Sequence, residues 1–237
     1  MVKLEIVDGL AVITIDRPEA RNAIAPATMD ELDDAIDGAA GAKALAITGG
    51  GDRVFVSGGD LKELAKLRTL DDARAMARRM RSICQRLVDF PAPVIAALNG
   101  HALGGGAEFA SAADIRIAAD DVKIGFNQST LAIMPAWGGA ERLVTMVGRS
   151  RAILLAGTGR LLTAAEALEI GLIDEVFPRA DFDEGWRAVA QSLATAPAAG
   201  IKKVMSGATA EEAVDEFAKL WVAEEHWAAA DRVLNRR

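Results

Sequence analysis

Residues 99 to 108 read Asn-Gly-His-Ala-Leu-Gly-Gly-Gly-Ala-Glu and follow the apolar run Pro93-Val-Ile-Ala-Ala-Leu98. An apolar strand thus leads into three glycines, with a carboxylate just beyond. Glycine lets a backbone approach a ligand closely and present its N–H groups. If Gly104 to Gly106 open a helix, those N–H groups have no intrahelical acceptor and favour negative charge. Glu108 stands where it can move a proton. The combination is that of an oxyanion hole with a general base beside it.

A second stretch, Val54-Phe-Val-Ser-Gly-Gly-Asp-Leu-Lys-Glu63, repeats the logic of strand, glycine turn and helix start. Two N–H groups converging from different loops suit a carbonyl oxygen that gains negative charge. Losing one such donor costs about 3 kcal/mol of transition-state stabilisation. Taken singly, each loop also reads as a plain tight turn. Other chemistries fail on pattern. The contiguous glycines break the G-x-G-x-x-G dinucleotide fingerprint, and no Gly-Lys-Ser/Thr ends a phosphate loop. Ser57 and His101 remain as hydrolase residues, but no G-x-S-x-G elbow is present.

The elements around these loops follow from periodicity. Leu4–Val7 and Ala11–Ile15 flank Asp8-Gly9, a hairpin signal. The pattern predicts helices over 28–40, 60–67 and 71–90, and strands over 44–48 and 93–98. A glycine-led helix then reaches about Ala112. Short strands follow at 114–118 and 122–126, then helices at 138–147 and 150–156. A Thr163/Glu166 capping box starts a helix ending near Gly171, and 172–177 reads as a strand. After Pro178 the pattern is helical: 182–195, 198–206, and one long helix from a Thr209/Glu212 box to about Leu234. Strand-loop-helix units with a helical last quarter imply an α/β core and a helical appendage.

Composition narrows the function. The 237 residues are 51% hydrophobic, enough to bury a full core. A net charge of -7 argues against a nucleic-acid surface. No apolar run reaches the ~20 residues of a membrane span, and no targeting leader is expected. The single cysteine, Cys84, fits a reducing compartment. With His101 and His226 the only histidines, a His-rich metal site is not expected.

Four stretches, taken together, resemble the enoyl-CoA hydratase/isomerase (crotonase) family. They are Arg17-Pro…Asn22-Ala23, Phe55-Val-Ser-Gly-Gly-Asp-Leu-Lys62, Asn99-Gly…Leu-Gly-Gly-Gly-Ala-Glu108 and Pro135-Ala-Trp-Gly-Gly-Ala-Glu-Arg-Leu143. The likeness runs in order over nearly the whole chain. It implies a ClpP/crotonase-like spiral of ββα units over 1–180 and a helical trimerisation region over 181–237. It also implies a homotrimer or a dimer of trimers, cytoplasmic, with a coenzyme A thioester as substrate and no metal or redox cofactor. On this resemblance Gly59 and Gly105 supply the hole, and Glu108 is the catalytic carboxylate. Gly59, Asp60, Leu61 and Lys62 line the adenine and pantetheine channel, and Asn22 and Ala23 border the bent CoA chain.

Three positions depart from the family's hydratases. These carry a second glutamate where ungapped spacing from Pro135 places Gln128. An amide can hold a water but cannot donate an acidic proton at neutral pH. A missing general acid costs ~100-fold to ~10,000-fold in rate, which points away from efficient hydration. Trp137 replaces a small residue and reads either as a wall shortening the acyl pocket or as core filling. The C-terminus lacks the family's Lys-Arg-Pro-Phe ending. Arg232, Arg236 and Arg237 there read as a solvated tail, with contact to the CoA 3′-phosphate as the alternative.

The nominal activity is therefore enoyl-CoA hydration or isomerisation, with Gln128 positioning water or substrate. One alternative is decarboxylation of ethylmalonyl- or methylmalonyl-CoA, since 133–143 is similar to the ethylmalonyl-CoA decarboxylase branch. A non-catalytic acyl-CoA-binding protein is another. His101 and Cys84 read as packing, Asp114 as a structural acceptor, and Lys202 and Lys203 as surface charge.

Overall fold

A strand in one sheet, a strand in a second sheet and then a helix form the repeating unit of this chain. The computed structural model describes residues 1–235; Arg236 and Arg237, assigned above to the tail, lie outside the described residues. The first elements are β1 (Val2–Val7), β2 (Leu10–Ile15), α1 (Pro26–Gly38), β3 (Ala44–Gly49), β4 (Val54–Val56), α2 (Leu61–Leu64) and α3 (Leu70–Val88). Next come β5 (Val94–Leu98), β6 (His101–Leu103), α4 (Gly105–Ala110), β7 (Ile115–Ala119), β8 (Lys123–Gly125), α5 (Gly139–Val147) and α6 (Arg149–Thr158). The last are β9 (Leu162–Thr163), α7 (Ala164–Glu169), β10 (Glu175–Phe177), α8 (Phe182–Leu193), α9 (Ala196–Met205), α10 (Ala210–Trp221) and α11 (Glu224–Leu234).

The larger sheet has the order β1-β2-β3-β5-β7-β10 and the smaller β4-β6-β8-β9. Consecutive units therefore stack: β3, β5 and β7 are parallel neighbours in one sheet, and β4, β6 and β8 in the other. This is the spiral of ββα units implied by the resemblance. Its consequence is local. Each glycine loop leaves the C-terminal end of a strand in the smaller sheet, and β4 and β6 are adjacent there. Two loops some 45 residues apart in sequence are brought side by side, at the strand ends where α/β folds bind ligands.

The hairpin β1–β2 turns on Asp8 and Gly9, both at positive φ (50° and 82°), as a two-residue turn of this twist needs. Every residue of β5 is buried, the pattern of a strand covered on both faces. The core runs from β2, β3 and β5 to Phe109, Phe126, Leu143 and, on α8, Phe182, Trp186 and Ala190.

Four expectations need correction. The strand at 93–98 does not run directly into the glycines, because Asn99-Gly100 breaks it and β6 intervenes in the other sheet. The helix expected at 60–67 closes after Leu64, where Leu67 N–H bonds back to the Leu64 carbonyl in a tighter turn. The strand expected from 172 begins at 175, since the N–H groups of Leu172 and Ile173 both go to the Ala167 carbonyl and finish α7. The long last helix is two, α10 and α11, parted at an extended Ala223. Across that elbow Trp221 packs edge-on against Trp227 at 5.5 Å, with the His226 ring 4.7 Å from Trp221. Ring packing across the bend competes with a continuous helix, which would place these residues along its side.

Candidate active site

Backbone crowding builds the site. A Cβ on Gly58 (φ +104°) would lie 3.2 Å from the Gly105 nitrogen and 3.5 Å from the Leu103 carbonyl. A Cβ on Gly106 would lie 1.8 Å from the Val56 carbonyl oxygen. The two loops thus touch main chain to main chain, which only glycine permits. In the first loop, Ile24 N–H donates to the Gly58 carbonyl (2.8 Å) and Asp60 N–H to the Ile24 carbonyl (2.9 Å), leaving Gly59 between them. In the second, Gly104 N–H donates to the Gly125 carbonyl (2.8 Å) and Gly105 becomes the first residue of α4. Among the described residues, neither the Gly59 nor the Gly105 N–H has a protein acceptor. The two loops that carry the N–H groups expected from the sequence are in contact, Gly58 against Gly105.

Asp60 fixes the first loop. Its Oδ1 accepts from Lys62 N–H at 3.2 Å and caps α2, while its Oδ2 pairs with Arg17 Nη2 at 3.1 Å. Arg17 also donates to the Ala23 carbonyl at 2.6 Å. Asn22 sits at positive φ (53°) with a fully buried side chain. Its Nδ2 donates to the Val54 and Gly50 carbonyls, and its Oδ1 accepts from Arg17 N–H. The Asn22 amide is therefore committed to holding the 17–24 loop on β4. Leu61 and Lys62 point outward and are exposed. A groove of about 460 Å³ lies at the 17–24 loop, lined by Arg21, Asn22, Gly50, Asp52 and Arg53; Leu61, Lys62, Gly59 and Gly105 are not in its wall.

Glu108 is 2% exposed, and both carboxylate oxygens are engaged. Oε1 accepts from Gln128 Nε2 (2.8 Å) and Ala136 N–H (3.2 Å); Oε2 accepts from Trp137 N–H (2.7 Å) and Gly139 N–H (3.0 Å). The donors at 136–139 are the free N–H groups before and at the start of α5, where partial positive charge gathers. Burial pushes the Glu108 carboxyl above its ordinary value of 4.5, against the opposing pull of these hydrogen bonds. A carboxyl so placed takes a proton more readily than a solvated one, which suits a general base. Gly139 must be glycine: a Cβ there would lie 2.4 Å from Glu108 Cγ.

Trp137 is 5% exposed. Its indole lies so close to Gly105 that a Cβ on that glycine would meet the ring at 2.4 Å, and one on Gly59 at 3.9 Å. The ring thus borders both hole loops as well as joining the core.

Sequence reasoning missed Arg142. From α5 it donates to the Trp137 carbonyl (2.8 Å), the Glu108 carbonyl (3.3 Å) and Ser111 Oγ (3.1 Å), tying α4 to the 136–139 turn. Its only signal was a basic residue on an otherwise apolar helix face. Lys202, expected at the surface, is only 10% exposed along its side chain and pairs with Asp114 at 2.7 Å. Asp114 also accepts from Val94 N–H (2.7 Å), the structural role expected of it. His101 Nδ1 accepts from Lys123 N–H, a packing role. The Cys84 thiol is buried and its pKa pushed up to about 12, so it stays a neutral core group. No cluster of three or more His, Cys, Asp or Glu that could hold a metal occurs among the described residues.

Residues 5–225 match the family model described as enoyl-CoA hydratase/isomerase. A probable enoyl-CoA hydratase of Rhodobacter capsulatus is 40% identical over 204 residues, 86% of this chain and 79% of the relative. A short-chain-enoyl-CoA hydratase of Clostridium acetobutylicum is 39% identical over 178 residues, 74% of this chain and 68% of the relative. Among solved structures, an enoyl-CoA hydratase from Thermoplasma volcanium superposes with TM-score 0.86 at 33% identity, covering 98% of this chain and 96% of its own.

Proposed function

This chain belongs to the enoyl-CoA hydratase/isomerase family, and on that premise we propose that it holds a thioester carbonyl between the Gly59 and Gly105 N–H groups. As a family member it is an enzyme acting on CoA thioesters, with enoyl-CoA hydratase/isomerase function. The observation that carries the proposal is the pair of acceptor-free N–H groups on loops in main-chain contact, with Glu108 behind one of them.

In this reading Glu108 is the single acid–base residue. It takes the proton from the α-carbon, the Cα–H electron pair passes into an enolate, and the oxyanion rests on the two N–H groups. For a 3-enoyl thioester, Glu108 returns the same proton at the γ-carbon and the double bond has moved. One carboxylate suffices for that shift. Hydration needs a second proton-transfer group, and Gln128 offers only a hydrogen bond to the water. Gly59, Asp60, Leu61 and Lys62 border the CoA channel, Asn22 and Ala23 through main chain only. Trp137 closes the acyl end and favours short chains. No metal or redox group enters the reaction.

A second reading rests on Gln128 in place of an acid. For an alkylmalonyl thioester, the bond to the free carboxylate breaks, CO2 leaves, the electron pair forms the enolate in the hole, and the α-carbon takes a proton. A carboxylate at 128 would repel that substrate; an amide does not. Three assays separate the readings: crotonyl-CoA with water, a 3-enoyl-CoA, and ethylmalonyl- or methylmalonyl-CoA. Double-bond migration is expected to exceed crotonyl-CoA hydration. Release of CO2 as the fastest reaction selects the second reading, and turnover of none of the three overturns both.

The region 181–237 is proposed to assemble copies into a homotrimer or a dimer of trimers, with compartment cytoplasmic. Its helices expose Ile201, Met205, Val214, Phe217, Trp221 and Val222. Such an apolar surface is normally covered by a partner. A monomeric mass in solution would remove this part. Among the described residues, no helix is long and apolar enough to cross a membrane.

A further inference from the structure

Glu108 has two acceptor oxygens and four donors, so a proton arriving on either oxygen must displace a donor. Three of those donors are main-chain N–H groups and cannot turn. Gly139 abuts Glu108 Cγ, and Arg142 pins the Trp137 carbonyl. The fourth is the Gln128 amide, which carries a donor on one side and an acceptor on the other. That acceptor, Gln128 Oε1, is buried without a hydrogen-bond partner, although Gln128 is 7% exposed overall. A buried orphan acceptor is a standing cost that a change of state can relieve.

We propose that Gln128 is a reversible partner of Glu108: Nε2 donates to the ionised carboxylate, and the amide turns over so that Oε1 accepts from the protonated one. The idea rests on reading Glu108 as the acid–base residue. Rotation about Cγ–Cδ exchanges the two ends without changing the volume occupied. A Cβ on Gly104 would lie 3.2 Å from Asn127 Oδ1 and 3.8 Å from Gln128 Cδ, so both side chains border that glycine. In a proton shift, the hydrogen leaving the α-carbon forms an O–H bond on Glu108, and Gln128 Oε1 holds it until it is returned to carbon. Gln128 touches Glu108 rather than the reacting atoms in this scheme, so it is a positioning residue.

Few other groups titrate nearby. Arg142 on α5 donates to the Glu108 carbonyl, Arg81 lies on α3, and burial pushes the Cys84 thiol on α3 up to about 12.

The test is an NMR titration of the full-length, ligand-free protein, which does not depend on which thioester is turned over. Gln85, Gln128 and Gln191 are the only glutamines, so side-chain amides labelled with nitrogen-15 are few, and Gln128→Met assigns the signal that vanishes. The Gln128 amide signal is expected to move with the same midpoint as the Glu108 carboxyl carbon. A Gln128 signal that stays flat through the Glu108 titration overturns the proposal. Gln128→Met supplies a second measure, since it removes donor and acceptor together. The Glu108 midpoint should then shift by less than about one pH unit, a tenfold change in proton affinity. A larger rise means that Gln128 serves only as a donor, and also overturns it. If that variant fails to fold, assignment by Gln128→Glu and the wild-type titration decide alone.

Discussion

The two glycine loops of the hole are held by opposite means. The loop at Gly58-Gly59 is anchored by charge: Asp60 caps α2 and pairs with Arg17. The loop at Gly104 to Gly106 is anchored by packing and main-chain bonds. Val56 crowds Gly106, Gly125 takes the Gly104 N–H, Trp137 covers Gly105, and Glu108 is gripped from 136–139. A charge-anchored loop can absorb small changes, whereas a packed one has no slack. The donor that needs the more exact placing beside the base is the one built into the core.

The sharpest test of this contrast is Glu108→Ala. Turnover should fall ~100-fold to ~10,000-fold, with thioester binding largely kept, as kcat and KM measured separately would show. Full turnover would instead revive the binding-protein reading. The pH profile adds a sign. Burial favours protonated Glu108, so the base is lost as pH falls through a folded value above 4.5, and the acid limb of kcat/KM should have its midpoint above 4.5. The matching stability contribution of the protonated form is present below about pH 4.5 and lost as pH rises through the raised value. An acid limb at or below the ordinary value breaks the link between burial and base.

Arg142→Met should lower kcat by about 100-fold with KM little changed, because the 136–139 turn loses its register on Glu108. Gly106→Ala should then cost about 1–3 kcal/mol or more in a denaturant titration, since Val56 cannot retreat. On the other loop, Asp60→Ala should cost only about 1–2 kcal/mol, from a lost cap and a part-buried arginine without its carboxylate. Equal costs at Gly106 and Asp60 would erase the contrast. The smallest effect has the opposite sign. Gly157, in α6, has open space around its Cβ position, so Gly157→Ala should stabilise by about 0.5–1 kcal/mol.

Much of the site was readable because its residues announce their chemistry. Gly59, Gly105 and Glu108 occur where a strand meets a helix, and it was the repetition of that pattern in two loops that set them apart from plain turns. The three capping boxes at Thr69, Thr163 and Thr209 are equally local, and two of them marked helix starts correctly in advance. Arg142 was hidden because its partners lie at 108, 111 and 137, on both sides of a turn whose path no local pattern dictates. Lys202 was hidden for the same reason: Asp114 and the Ala92 carbonyl reach it across the fold. The short strands β6 and β9 escaped because pairing in the smaller sheet, rather than their own composition, makes them strands.

The sequence by itself placed the glycines of the two loops and the carboxylate of Glu108, because a close backbone approach needs glycine and the proposed proton transfer needs an acid. It also set the helix starts, which depend on residues within one turn. Only the tertiary structure decided that Gly58 meets Gly105, that Glu108 is held by 136–139, and that Trp137 lies over the hole. Those facts follow from the stacking of β4, β6 and β8, which adds one unit of the spiral to the next. Register between units is a property of long-range packing, and no window along the chain contains it.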